Sequence, residues 1–98
     1  MAKYLVLWEA DTRRTPEDPK AKKTQVLGFG EAIVKQLKDG TIKEWGAFAG
    51  EVEGYVIFEG SAVKLNTFTG MWVPFIKFKV SEFLTIDQLN KATKALPD

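Results

Sequence analysis

Two absences set the chemistry open to this chain: among its 98 residues there is neither a cysteine nor a histidine. Without cysteine there is no disulfide, thiolate nucleophile, iron–sulfur cluster or cysteine zinc site. Without histidine, the usual base near neutral pH, the commonest metal ligand and the most frequent haem ligand are missing as well. What remains is carboxylates, Lys, Arg, hydroxyls and a set of large aromatics. Of these, Tyr4, Trp8, Trp45, Tyr55 and Trp72, with the amide of Asn66, are the groups that could line a pocket for a small, flat or apolar molecule. No metal site and no resident cofactor are expected.

The remaining polar candidates have plainer readings. Arg13 and Arg14 precede an expected helix N-terminus, a geometry suited to a carboxylate or phosphate. Asp11, Glu17 and Asp18 balance them, which favours a solvated loop. Glu9 closes a strand and would act as a base only if a pocket desolvated it. Glu51 and Glu53 sit near a hairpin tip as solubilising charge. Gly28-Phe29-Gly30-Glu31 lacks the third glycine of a dinucleotide fingerprint and lies inside a helix instead of following a strand.

These residues are positioned by a short, regular set of elements. The organising stretch is 42–60 (IKEWGAFAGEVEGYVIFEG), two apolar arms joined by a turn-prone segment at 50–54. It reads as a β-hairpin whose second arm, 55–58, has no polar face and so belongs in the middle of a sheet. Residues 4–8 (YLVLW), apolar on both sides and bounded by Lys3 and Glu9, read as a buried strand. A helix is expected to start with Thr15 as N-cap and Pro16 in its first turn and to end near Lys38, with Gly40 just beyond. Val26, Phe29, Ile33 and Leu37 form its apolar stripe. Gly28 and Gly30 inside it imply a kink, a late start or the close approach of another backbone.

Ser61 caps a second helix carrying Leu65, Phe68 and Met71 or Trp72, and Gly70 and Pro74 bracket its end. Residues 75–80 (FIKFKV) alternate as an edge strand protected by Lys77 and Lys79, with 81–84 as a short extension. Thr85 and Gln88 make a capping box for a last helix with Ile86, Leu89, Ala92 and Leu96 on one stripe. The order is β-α-β-β-α-β plus a C-terminal helix: one α+β domain, 1–98, of ferredoxin-like arrangement with an antiparallel sheet.

In that arrangement both main helices cover one face of the sheet. Placing Leu5 and Leu7 towards the helices turns Tyr4, Val6 and Trp8 outward, with Trp45, Ala47, Tyr55 and Ile57 beside them and Lys77 and Lys79 at the rim. Four large aromatics on an open face exceed what a monomer normally exposes, and a second sheet packed face to face would bury them. A homodimer follows as the expectation.

The strand order, the aromatic open face, the Gly70-to-Phe75 approach GMWVPF and the trailing segment 81–84 resemble the dimeric α/β-barrel superfamily, over nearly the whole chain. The likeness implies two ferredoxin-like subunits with opposed sheets, the C-terminal segment reaching the partner, and it is strongest to small members of unknown function. The superfamily spans monooxygenases, isomerases, haem proteins and regulatory ligand-binding domains, so fold alone does not select an activity. Its cofactor-independent monooxygenases hold an oxidisable aromatic with Asn, Trp and Tyr. Asn66 and Trp72 are counterparts by type, yet they stand six residues apart, which is not a same-face step on a helix.

RNA-recognition modules share the element order and stack bases on strand aromatics. Here Glu53 stands where a basic residue is expected and Ile57 where a second aromatic is expected, and the net charge is only +1. Neither nucleic acid nor a membrane is expected as a partner; the longest apolar run, 4–8, is too short for a signal core or span, which makes the cytoplasm the default location. The expected function is binding of a small apolar or aromatic molecule in the cavity of a dimeric barrel, with a cofactor-independent monooxygenase or isomerase as the alternative.

Overall fold

A computed structural model of the chain describes residues 2–98. Its elements are β1 (Lys3–Ala10), a 3-10 turn at Thr12–Arg14, α1 (Pro19–Asp39), β2 (Glu44–Ala47), β3 (Glu53–Glu59), α2 (Ala62–Gly70), β4 (Ile76–Phe83) and α3 (Ile86–Lys94). The four strands form one antiparallel sheet in the order β2-β3-β1-β4. The apolar strands β3 and β1 therefore lie inside, and the lysine-bearing β4 is an edge.

Local chemistry explains the element boundaries. The Asp11 carboxylate accepts from the Arg13 backbone at 3.1 Å and opens a separate turn, which Thr15 closes by donating to the Thr12 carbonyl at 3.2 Å. The helix therefore starts three residues later than Pro16: Asp18 accepts from Ala21 N–H at 2.9 Å, and Pro19 supplies the fixed φ of the first helical position. At the other end, Gly40 takes the left-handed conformation at φ 81°. Ser61 caps α2, accepting from Lys64 at 3.2 Å. Thr85 and Gln88 form both halves of the capping box of α3, at 3.3 and 2.9 Å. No other backbone approaches Gly28 or Gly30; a Cβ on either would meet nothing within 4 Å.

The residues of β1 and β2 face the reverse way from the sequence expectation, whereas Tyr55, Ile57, Lys77 and Lys79 lie on the open face as expected. Val6, Val56 and Phe58 are buried with Ile42, Leu65 and Phe68, and Tyr4, Trp8, Trp45 and Phe78 pack against this cluster. Tyr4, Val6 and Trp8 thus point to the helices, and Leu5 and Leu7 to the open side. Register gives the reason. Trp45 pairs with Val56 and Gly46 with Tyr55, so Trp45 and Tyr55 cannot share a face. The open face carries Leu5 paired with Ile57 and Leu7 paired with Tyr55 at its centre. Glu44 flanks them on the β2 edge, Lys77 and Lys79 on the β4 edge.

Candidate functional site

The helix-facing side of the sheet does not close against α1. Although α1 is 21 residues long, none of its residues is buried. Its apolar stripe is covered only in part: Phe29 and Ile33 are half-buried, while Val26 and Leu37 remain exposed. Beneath the helix lies a cavity of about 350 Å³. Trp8, Trp45, Val56 and Phe78 form its floor, Phe29, Gly30, Ile33 and Gln36 of α1 its roof, and Phe68 and Trp72 its side. Glu51 and Val52 of the β2–β3 loop close one end.

The tryptophans are held in two places, a stacked pair and an edge contact. The Trp8 ring lies nearly parallel to Trp45, with centroids 5.4 Å apart and planes at 13°, and its Nε1–H donates to the Gly46 carbonyl at 3.2 Å. Trp72, just past the end of α2, meets the edge of Phe29 at 5.5 Å and 72°, and Phe29 also leans on Phe75 at 5.8 Å. The turn that carries Trp72 towards β4 includes a cis Val73–Pro74 bond.

Of the sequence candidates, Trp8, Trp45 and Trp72 come together on the cavity wall. Tyr4 points to the same side of the sheet but packs on Phe58 at 6.5 Å, away from the cavity lining. Tyr55 is on the opposite face, stacked with Phe48 at 6.3 Å and 26°. Asn66 is exposed on α2, where its backbone carbonyl accepts from Thr69, and it does not line the cavity.

Among the described residues, the buried side-chain polar atoms without a hydrogen-bond partner are Gln36 Oε1 and Trp72 Nε1, and both residues line the cavity. Gln36 is not a candidate from the sequence, since a glutamine within a helix gives no local signal that the residue borders a cavity. Glu51 is the sole titratable side chain on the wall.

Elsewhere, Arg13 forks onto Asp11, with Nε to Oδ1 at 3.1 Å and Nη2 to Oδ2 at 3.2 Å, which commits it within its own turn. This hydrogen bonding holds the Asp11 carboxyl below its ordinary value, with a lesser contribution from Lys77. On the open face, the neighbouring Glu44 carboxylate, together with desolvation, holds the Tyr55 phenol above its ordinary value. No cluster of three or more potential metal ligands occurs among the described residues, and no described helix is long and apolar enough to cross a membrane. Comparison of the chain with protein-family models, with curated proteins and with solved structures gave no match.

Proposed function

We propose that the chain is a ferredoxin-like subunit of a homodimeric α/β barrel that binds one small apolar or aromatic molecule beneath α1. The observation that carries the binding reading is a 21-residue helix with no buried residue, held over a cavity of about 350 Å³. An amphipathic helix is normally stabilised by burying its apolar face. Here the face meets aromatic walls across a space that a ligand would fill. The volume falls within the range of small-molecule pockets, and an apolar cavity of about 150 Å³ already accepts benzene, so two or three fused rings are the matching size.

Binding without turnover is favoured over the oxygenase or isomerase alternative. With Glu51 the sole titratable group on the wall, the cavity lacks an acid–base pair, and Asn66 and Tyr55 lie away from it.

The strand order β2-β3-β1-β4 with two helices on one face supports the ferredoxin-like assignment. Three features support the dimer. The open face has an apolar centre, Leu5, Leu7, Tyr55 and Ile57, with an acidic residue on one edge and two lysines on the other, a pattern that can complement itself across a twofold axis. The stripe of α3 is uncovered, with Ile86 and Leu89 at 68 and 49% exposure, and Leu96 just beyond its end is 65% exposed. The chain is also extended, 63 × 26 × 21 Å with a radius of gyration of 16.5 Å, where a compact chain of this length has about 13 Å.

Native mass spectrometry tests both parts. The reading expects a dimer that takes up one naphthalene per subunit. A monomer contradicts the dimer, and a dimer that takes up none contradicts the cavity.

A further inference from the structure

The open face of the sheet, apolar at its centre, is sorted by charge around it. Glutamates lie on one half, Glu44 on β2 with Glu53 and Glu59 on β3, and lysines on the other, Lys3 on β1 with Lys77 and Lys79 on β4. Glu9 on β1 is the exception, and its register partner on β4 is Lys77. Protection of a sheet edge accounts for lysines on β4 but not for the opposite sign on the opposite edge. Nor do the two edges neutralise each other within a subunit. In the order β2-β3-β1-β4 the outer strands stand three spacings apart, about 14 Å, beyond the screening length of about 8 Å at physiological salt. Among the described residues the salt bridge formed is Arg13–Asp11, so these charges are left without one in their own chain.

We infer that two copies of the chain pack open face to open face about a twofold axis that runs along the strands, so that Glu44 of each subunit meets Lys79 of the other. This deepens the dimer reading above and rests on it. A twofold axis between the sheets can run along the strands or across them. Across them, each edge lies over its own copy, glutamate over glutamate and lysine over lysine. Along them, the β2 edge of one subunit lies over the β4 edge of its partner, and heights along the strands are kept. The register sets Gly46, Tyr55, Leu7 and Lys79 in one row and Glu44, Ile57, Leu5 and Ser81 in the next. The partner's Lys79 then comes over Gly46, one row of about 6.8 Å from Glu44, and the two side chains bridge that step between sheets about 10 Å apart. In the centre Tyr55 meets the partner's Leu7 and Ile57 the partner's Leu5, which closes the apolar middle. Glu59 meets the partner's Lys3 at one end. At the other, Glu53 meets the partner's Glu9 in the like-charged row, with the partner's Lys77 beside them.

Sedimentation equilibrium of the full chain tests this through two exposed residues whose replacement leaves the core of each subunit untouched. Glu44→Lys and Lys79→Glu each turn two attractive contacts of the dimer into repulsive ones. Each should raise the dimer dissociation constant about tenfold. The double variant Glu44→Lys/Lys79→Glu exchanges the two signs and should return to within about threefold of the wild type. High salt should weaken the wild-type dimer and strengthen the dimers of both single variants.

Unchanged dissociation constants in both single variants would overturn the inference and leave a dimer built about another axis. Losses that multiply in the double variant would overturn it too, since the two residues would then act on separate partners. A chain that stays monomeric at every concentration would remove the dimer reading itself.

Discussion

The indole of Trp8 reaches across the sheet to donate its Nε1–H to the carbonyl oxygen of Gly46 at 3.2 Å. The path runs over Gly54, the register partner of Trp8. A Cβ at Gly54 would run into the Trp8 ring and the Gly46 carbonyl oxygen, so glycine is required there by close approach. Gly46 has the matching role on the other face, where the Tyr55 ring occupies the place of a side chain. Gly54→Ala should therefore destabilise the protein by about 1–3 kcal/mol through overpacking, read from denaturant unfolding. Wild-type stability in that variant would contradict the placement of the Trp8 ring.

The opposite outcome is expected on α1. Gly28 and Gly30 have open space where a Cβ would go and lie well inside a helix. Gly28→Ala should raise stability by about 1 kcal/mol. Loss of stability would mean that the helix is interrupted there.

The expected open-face dimer gives a contrast between two substitutions of the same kind. Ile57→Glu places a charge on the open face of the subunit and should yield a folded monomer in analytical ultracentrifugation, with native circular dichroism. Val6→Glu, a charge in a fully buried position (0% exposure), should prevent folding. A stable Ile57→Glu dimer would exclude the face-to-face arrangement.

Tyr55 offers a titration test. With Tyr4 replaced by phenylalanine it is the sole tyrosine. Glu44 favours the protonated phenol and holds its titration above the ordinary value of 10.0. The sign follows: any stabilisation from this pair is complete below the unfolded value and is lost as pH rises through the folded one. Absorbance titration of Tyr4→Phe should show a raised midpoint, and adding Glu44→Gln should lower it. An unchanged midpoint would show that the two groups do not interact.

Much of this architecture was legible in the residues. The hairpin at 42–60, the edge character of β4, the αL residue Gly40, the Ser61 cap and the Thr85–Gln88 box each carry a local signal, and each is found in place. The start of α1 was misplaced because Thr15-Pro16 and Asp18-Pro19 make competing cap signals, and a preceding turn takes up the first. The orientation of the sheet was not legible. Residues 4–8 are apolar on both faces, so period two could not choose between them; the choice is made by register with β3 and by Leu65 and Phe68 of α2. Of the candidate site, the tryptophans stood out by type, whereas Gln36 did not, since facing a cavity is a property of how far α1 stands off the sheet.

The most direct test of the account uses the three tryptophans, all of which line the cavity, as reporters. Their emission is followed while 1-naphthol is added to the wild-type chain and to Gly30→Leu, whose side chain would grow from the roof into open space. Saturable quenching with one site per subunit is expected in the wild type, and none in a Gly30→Leu protein that melts no lower. Identical saturable quenching in both would place the ligand outside the cavity, and no saturable change in the wild type would contradict the binding function.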